Sequence, residues 1–220
     1  MQMVIAEILT AAELTAIRAR LTDGDAGFSS GKSSAGWQAQ AVKDNEQAGS
    51  SATAAIVKKV EAALRATPVF MAAARPKLFV KMLVARYRPG MAYGQHVDDP
   101  LMAGLRTDLS FTLFLNEPAD YDGGDLVISG SAGATSFKLP AGQLILYPST
   151  TLHEVEPVRR GERLVVAGWV RSYIRDHAQR EVLFDLDNVI ASVRAAAPER
   201  TVMDHLLKVR ANLIRMWADD

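Results

Sequence analysis

The chain has 220 residues, with 25 basic side chains balanced by 25 acidic ones. This balance gives no support to nucleic acid or an anionic membrane surface as a partner. Because the chain contains no cysteine, disulfides, iron–sulfur clusters, thiolate zinc sites and thiol nucleophiles are excluded. Any metal must therefore be bound through nitrogen and oxygen atoms.

The N-terminal sequence indicates a cytoplasmic protein. Its apolar stretch contains Glu7 and Glu13 and has no basic segment before it, unlike a secretory signal peptide. Nowhere in the chain do eighteen apolar residues follow one another, so no membrane span is expected. A chain of this length is expected to fold around one main core.

Residues 1–77 are predicted to form an N-terminal helical support region. A short strand is expected within residues 3–9. Thr10 and Glu13 have the spacing of a capping box, which predicts a helix that begins there and reaches about Leu21.

Two further helices are expected in the same region. Apolar residues recur at helical spacing over 51–65. Thr67 followed by Pro68 is typical of an N-cap with proline at the first helical position, so a short helix should follow to about Ala74. The Gly- and Ser-rich segment 23–36 is either a surface linker or a mobile flap near a pocket.

From residue 78 to residue 175 the pattern changes to short strands separated by turns rich in Gly and Pro. No helical pattern lies between these strands, which favours a jelly-roll over a parallel α/β sheet. The predicted fold class is therefore α+β, with a double-stranded β-helix (jelly-roll) core. The strand segments read KLFVKMLVARY, DLSFTLFLN, GDLVIS, TSFKL, QLILYP and RLVVAGWVRSYI.

Residues 176–220 are predicted to be a C-terminal helical extension. Two helices, over 176–197 and 201–218, are expected to break at Pro198, the second capped by Thr201. Both carry apolar stripes that need a packing surface on the barrel, on each other or on a second subunit. We therefore expect the chain to form a homo-oligomer.

Three residues have the character of a metal site. His96 and Asp98 are two positions apart, so in a strand they lie on one face. An antiparallel sheet could bring His153 to the same place. Two imidazoles and one carboxylate suit Fe(II) and leave open positions for oxygen and an organic ligand. The set predicts a mononuclear iron oxygenase.

Three segments together resemble a known family. RYRPGMAYGQHVDDP matches the pattern Y-x-x-G-x-x-Y-x-x-H-x-D, YDGGDLVI is similar to a Gly-Gly-acid-Leu hairpin, and LHEVEPVRRGERLVVAGWV contains His153, Arg163 and Trp169. The chain thus resembles the Fe(II)- and 2-oxoglutarate-dependent dioxygenases of the prolyl and lysyl hydroxylase type, and among them the bacterial PKHD-type hydroxylases. The resemblance is closest over residues 78–175.

The resemblance implies a reaction and a set of roles. His96, Asp98 and His153 would bind Fe(II), Arg163 would bind the far carboxylate of 2-oxoglutarate, and Tyr87 would help to hold that end. The enzyme would use 2-oxoglutarate and O2 as cosubstrates and ascorbate as an auxiliary reductant. Decarboxylation of 2-oxoglutarate to succinate would be coupled to hydroxylation of an unidentified protein side chain or small metabolite.

The sequence departs from some relatives at one place. By this resemblance, Phe114 stands where certain animal prolyl hydroxylases have a tyrosine that contacts the cosubstrate. Ser110 and Thr112 share its face by strand alternation and are candidate replacement donors.

Two rival hypotheses stay open from the sequence. One is a cupin-like metalloprotein with Mn, Ni or Zn that acts as an isomerase or a non-oxidative lyase. The other is a non-enzymatic module with a vestigial triad. Arg163 distinguishes the dioxygenase from the cupin-like protein. A barrel that does not bind 2-oxoglutarate has no reason to bury a cation ten residues after its last metal ligand, His153.

Overall fold

The computed structural model describes residues 2–22, 26–197 and 199–219. Within them lie six α-helices: α1 (Ala11–Thr22), α2 (Trp37–Gln40), α3 (Ser50–Ala66), α4 (Pro68–Ala74), α5 (His177–Ala195) and α6 (Arg200–Trp217). The first eight strands are β1 (Met3–Ile5), β2 (Ser29–Ser30), β3 (Lys43–Asp44), β4 (Glu46–Gln47), β5 (Pro76–Tyr87), β6 (Ala92–His96), β7 (Leu101–Met102) and β8 (Leu105–Arg106). The remaining strands are β9 (Leu109–Phe114), β10 (Tyr121–Gly123), β11 (Leu126–Gly130), β12 (Gly133–Phe137), β13 (Leu144–Pro148), β14 (His153–Val155), β15 (Val158–Gly161) and β16 (Arg163–Ser172).

Two antiparallel sheets form the core. The larger sheet has seven strands in the order β1-β13-β9-β16-β5-β4-β2, and the smaller has five in the order β12-β11-β14-β6-β3. One cluster of buried side chains, including Leu126 and Ile128 of the smaller sheet and Val165 of the larger, fills the space between them. The expected jelly-roll core is therefore present.

The central strand β9 is buried on both faces. Leu109, Phe111 and Leu113 belong to the cluster beneath the helices, where α1, α3 and α4 pack on the larger sheet. Alternation turns Ser110, Thr112 and Phe114 toward the smaller sheet. The face toward the helices is entirely apolar, while the face toward the smaller sheet carries the hydroxyls of Ser110 and Thr112.

The N-terminal region supplies strands as well as helices. The strand expected within 3–9 is limited to Met3–Ile5, at one edge of the larger sheet. The capping box is formed as predicted: the Thr10 amide donates to Glu13 Oε2 at 3.0 Å and the Glu13 amide donates to Thr10 Oγ1 at 3.3 Å. Helix α1 then buries an apolar stripe that ends at Leu21.

The C-terminal helices begin and end close to the predicted positions. Asp176 caps α5 by accepting a hydrogen bond from the amide of Gln179 at 2.9 Å. The predicted cap of the second helix is wrong, because the N-cap is Glu199 and Thr201 lies within the first turn. Pro198 is outside the described residues. None of the described helices is long and apolar enough to cross a membrane.

An ion-pair network fastens the C-terminal helices to the core. Arg75 follows α4 and donates from Nη2 to Asp187 Oδ2 of α5 at 2.6 Å, and to the carbonyl of Leu183 at 3.1 Å. Arg210 of α6 contacts the other oxygen of Asp187 at 2.5 Å. One carboxylate therefore links three helices, and the side chain of Arg75 is only 9% exposed.

We expect Asp187→Ala to lower the free energy of unfolding by about 2 kcal/mol, because it leaves a largely buried guanidinium without its carboxylate. Urea denaturation measures this change. The control is Asp185→Ala, which removes an exposed carboxylate from the same helix and should cost less than about 0.5 kcal/mol. Equal effects of the two substitutions would contradict the anchoring role.

Candidate functional site

The structure brings His96, Asp98 and His153 together. His96 on β6 and His153 on β14 are directly opposite in the strand register. Asp98 lies two residues beyond the end of β6. One ligand atom from each of the three lies within 4.8 Å of the others. All three residues are buried, so the cluster is a compact set of two imidazoles and one carboxylate that could hold a metal ion.

Hydrogen bonds orient both imidazole rings. His96 Nδ1 lies 2.8 Å from the carbonyl oxygen of Gly94, and His153 Nδ1 lies 3.0 Å from that of Thr151. A carbonyl accepts only, so each Nδ1 carries the proton and donates. Each Nε2 then presents a lone pair, which is the arrangement found around metal-binding histidines.

The environment of His96 favours its neutral form. Burial, with the nearby His153 acting in the same direction, lowers the pKa of His96 to about 4. The ring of Tyr93 stacks on His96 with 3.6 Å between ring centroids. The imidazole is therefore unprotonated at neutral pH and available as a ligand.

Two serines fix the orientation of Asp98. Ser110 Oγ donates to Asp98 Oδ2 at 2.5 Å, and Ser149 Oγ lies 2.8 Å from Ser110 Oγ. The other carboxylate oxygen, Oδ1, is 3.8 Å from His153 Nε2. Ser110 is thus engaged with Asp98 and does not take the place of the tyrosine donor near Phe114.

Arg163 is buried at the other end of the same cavity. Only 1% of the residue is exposed. Its guanidinium carbon lies 5.1 Å from the ring centroid of Tyr87 and 5.4 Å from that of Phe114. Among the described residues, Nε and Nη2 of this guanidinium have no hydrogen-bond partner. Two orphaned donors on a buried cation fit an anionic ligand with paired oxygens, such as a carboxylate.

Gly124 makes room for this arginine. It has a φ of +66°, and a Cβ there would lie 3.1 Å from Arg163 Cδ and 2.9 Å from Val158 Cγ2. The Gly-Gly pair that the sequence singled out is therefore required by close packing as well as by the turn.

The surroundings of Tyr87 include residues that the sequence did not reveal. Asn45 Nδ2 donates to the Tyr87 hydroxyl at 2.9 Å, while Asn45 Oδ1 has no partner among the described residues. Burial raises the pKa of Tyr87, and Arg163 offsets part of this shift. Tyr147 of β13 is also buried in the cavity, with its ring 5.1 Å from that of His153. The only sequence signal for Tyr147 was its position two residues after the apolar Ile145, which places both side chains on one face of the strand.

One cavity connects these groups. Its lining includes the triad, Arg163 and Tyr87, and also Tyr93 and Trp169. Ser34, Ala35 and Gly36 reach the same cavity, so the end of the Gly- and Ser-rich segment does cover a pocket. Residues 23–25 of that segment are outside the described residues.

We expect Ser110→Ala to weaken Fe(II) binding about tenfold or more, because Asp98 loses the hydrogen bond that fixes its carboxylate. Anaerobic titration of the purified protein with Fe(II) measures the affinity. Ser136→Ala on the exposed strand β12 is the matched control. Unchanged affinity in the Ser110 variant would show that Asp98 needs no such support.

Comparisons with known proteins agree with this geometry. Residues 82–171 match the family model of the 2OG-Fe(II) oxygenase superfamily, and residues 177–219 match that of the PKHD-type hydroxylase C-terminal domain. A PKHD-type hydroxylase of Picosynechococcus sp. is 49% identical over 217 residues, which cover 98% of each chain. One from Maricaulis maris is 50% identical over 198 residues and 90% of each chain.

Solved structures share the fold. A prolyl-4-hydroxylase of Pseudomonas putida has a TM-score of 0.55 and 25% identity, covering 78% of this chain and 92% of that chain. A prolyl hydroxylase from Trichoplax adhaerens, in complex with a hypoxia inducible factor peptide, has a TM-score of 0.61. Its identity is 16%, covering 77% of this chain and 83% of that chain, so it supports the fold alone.

The dioxygenase hypothesis is confirmed over its two rivals, and so is the jelly-roll fold. Full-length identity near one half to curated relatives shows the family directly. The chain belongs to the PKHD-type hydroxylases of the 2OG-Fe(II) oxygenase superfamily, which use Fe(II), 2-oxoglutarate and O2, typically with ascorbate, to hydroxylate a substrate that is here unidentified.

Proposed function

We propose that His96, Asp98 and His153 hold the Fe(II) of this hydroxylase. Their three ligand atoms lie within 4.8 Å of one another, and the Nδ1 atoms of both imidazoles are engaged with backbone carbonyls, which leaves each Nε2 for the metal. Two nitrogen atoms and one carboxylate oxygen on one side of the ion would leave the opposite positions to 2-oxoglutarate and O2. When bound, the iron supplies the oxygen activation that the side chains cannot provide.

Arg163 and Tyr87 are proposed to bind the far carboxylate of 2-oxoglutarate. The single observation that carries this proposal is the fully buried guanidinium in the cavity of the triad, two of whose nitrogen atoms have no hydrogen-bond partner among the described residues. A planar guanidinium can form two parallel hydrogen bonds with a carboxylate. The Tyr87 hydroxyl, which already accepts from Asn45, keeps its own proton to donate.

The remaining walls of the cavity would exclude water from the reaction. Leu83, Val155 and Val165 contribute apolar surface between the two ends. A dry site strengthens the pairing of Arg163 with an anion and keeps solvent from the reacting carbon. The chain's own part in catalysis is thus to orient the ligands and to enclose the substrate.

The kind of substrate, the location and the division of the chain are also proposed. The balanced charge of the chain supports a substrate other than nucleic acid. We propose a cytoplasmic location because metabolism produces 2-oxoglutarate inside the cell. A division into residues 1–77, 78–175 and 176–220 is proposed from the change of sequence pattern, although β1 to β4 of the first segment join the sheets.

Substitutions at the two ends of the cavity should have different kinetic effects. We expect Asp98→Ala to abolish Fe(II)-dependent release of succinate, because the metal loses its only carboxylate ligand. Arg163→Ala should mainly raise the KM for 2-oxoglutarate, by about tenfold or more, since a charged hydrogen-bond partner is lost. An aerobic assay with iron, ascorbate and varied 2-oxoglutarate measures both.

Arg160→Ala is the matched control, because Arg160 is exposed on β15 only three positions away. It should leave the KM for 2-oxoglutarate unchanged. Succinate release that persists at the normal rate in the Asp98 variant would reject the ligand assignment. A normal KM in the Arg163 variant would reject the carboxylate site.

We also propose that the chain associates with a second copy through α6. The helix packs on α5, but it has no buried residue of its own. Val202, Val209 and Met216 are 45%, 50% and 72% exposed. They recur every seven residues, which is the spacing of a helix pairing seam.

We expect Val209→Glu to convert an oligomer into a monomer, because it places a charge within the proposed apolar seam. Light scattering after size-exclusion chromatography measures the mass. Lys208→Glu alters charge on the same helix outside the stripe and should keep the assembly. A wild-type monomer at high concentration would overturn this proposal.

A further inference from the structure

A second buried cation lies in the cavity, apart from Arg163. Lys43 on β3 is opposite Tyr93 of β6 in the strand register and is only 6% exposed. Its ammonium lies 4.9 Å from the centroid of the Tyr93 ring, the same ring that stacks on His96. Lys43 therefore belongs to the lining beside the triad.

The ammonium of Lys43 is poorly compensated. Its hydrogen bond goes to Ser34 Oγ at 2.9 Å, and this neutral oxygen already accepts from Gln47 Nε2 at 2.6 Å. No carboxylate of the described residues lies within 4.0 Å of Nζ. Burial lowers the pKa of Lys43 to about 8, with Lys81 acting in the same direction and Asp98 and Asp99 against it. An ammonium has three donors, and among the described residues one acceptor, Ser34 Oγ, is within hydrogen-bond distance of Nζ.

Trp169 adds another unsatisfied donor to the same cavity. Its indole Nε1 is buried without a hydrogen-bond partner among the described residues. Trp169 is opposite Ser110 on one side of β16 and opposite Lys81 on the other. A buried indole N–H normally finds an acceptor, so this one is available to a ligand.

Lys43 and Trp169 are each one contact away from the triad. Lys43 lies over the Tyr93 ring that stacks on His96. Trp169 is opposite Ser110 in the strand register, and Ser110 donates to Asp98. Both residues line the same cavity as the triad.

We propose that Lys43, with the indole N–H of Trp169 as a second donor, binds a carboxylate of the primary substrate. Two donors match the two oxygens of that group, and an ammonium beside the metal site would hold the anion close to the carbon that is hydroxylated. This inference rests on the proposed function, because it assumes that Arg163 takes the cosubstrate. It names the substrate class as a molecule or side chain that carries a carboxylate.

A matched pair of small probes tests the proposal. N-acetylglycine carries a carboxylate, and N-acetylglycinamide is its neutral counterpart. Each is titrated into the anaerobic complex of the full chain with Fe(II) and saturating 2-oxoglutarate, and binding is measured by calorimetry. We expect the wild type to bind the acid about tenfold more tightly than the amide, the size expected for a charged hydrogen bond.

Three variants separate the possible outcomes. Lys43→Met should abolish the preference for the acid, and Lys43→Arg should retain most of it. Lys58→Met removes an exposed lysine of α3 and should behave as the wild type. Circular dichroism checks that each variant is folded, and the Arg variant tests the charge even where the Met variant is unstable.

Two results would overturn the inference. One is a wild type that does not distinguish the acid from the amide. The other is a large loss of 2-oxoglutarate affinity in Lys43→Met, which would assign the ammonium to the cosubstrate. A wild-type chain that binds no 2-oxoglutarate before any probe is added would instead reject the proposed function, so the two failures are distinguishable.

Discussion

The site depends on a guanidinium that is kept from water and that has no carboxylate of the described residues within ion-pair distance. Arg163 is 1% exposed, and its guanidinium lies over the faces of two aromatic rings. Ring faces stabilise a cation far less than a carboxylate at hydrogen-bond distance does. The free chain therefore carries an electrostatic cost that an anionic ligand relieves. A larger residue in place of Gly124 would crowd the side chain of Arg163. The glycine therefore leaves space for this side chain.

Strand β9 contributes to the core with one face and to the candidate site with the other, so core packing also positions the side chains of the site. Phe111 of β9 packs under the helices, while its neighbour Ser110 holds Asp98. The helices pack on one face of the sheet and hold the backbone of β9 in place. Because successive side chains alternate between faces, this also positions Ser110 on the other face.

Local patterns in the sequence predicted most of the framework and part of the site. Strand alternation and turn residues were sufficient for β5, β9, β13 and β16, and the motif spacing pointed to the triad and to Arg163. The partners of these residues could not be predicted, because Asn45 and Ser149 reach them through tertiary contacts across long stretches of chain. The helix cap at Thr201 was wrong for a related reason: several polar residues near Pro198 could cap α6, and only the path of the chain selects Glu199.

The position of Lys43 follows from the same kind of contact, since β3 has only two residues and carries no strand signal of its own. The pairing of β3 with β6 brings the ammonium of Lys43 beside the candidate metal ligands. If Arg163 pairs with the far carboxylate of 2-oxoglutarate, the ammonium of Lys43 is still without an anion in the same cavity. That remaining positive charge favours a primary substrate that carries a carboxylate.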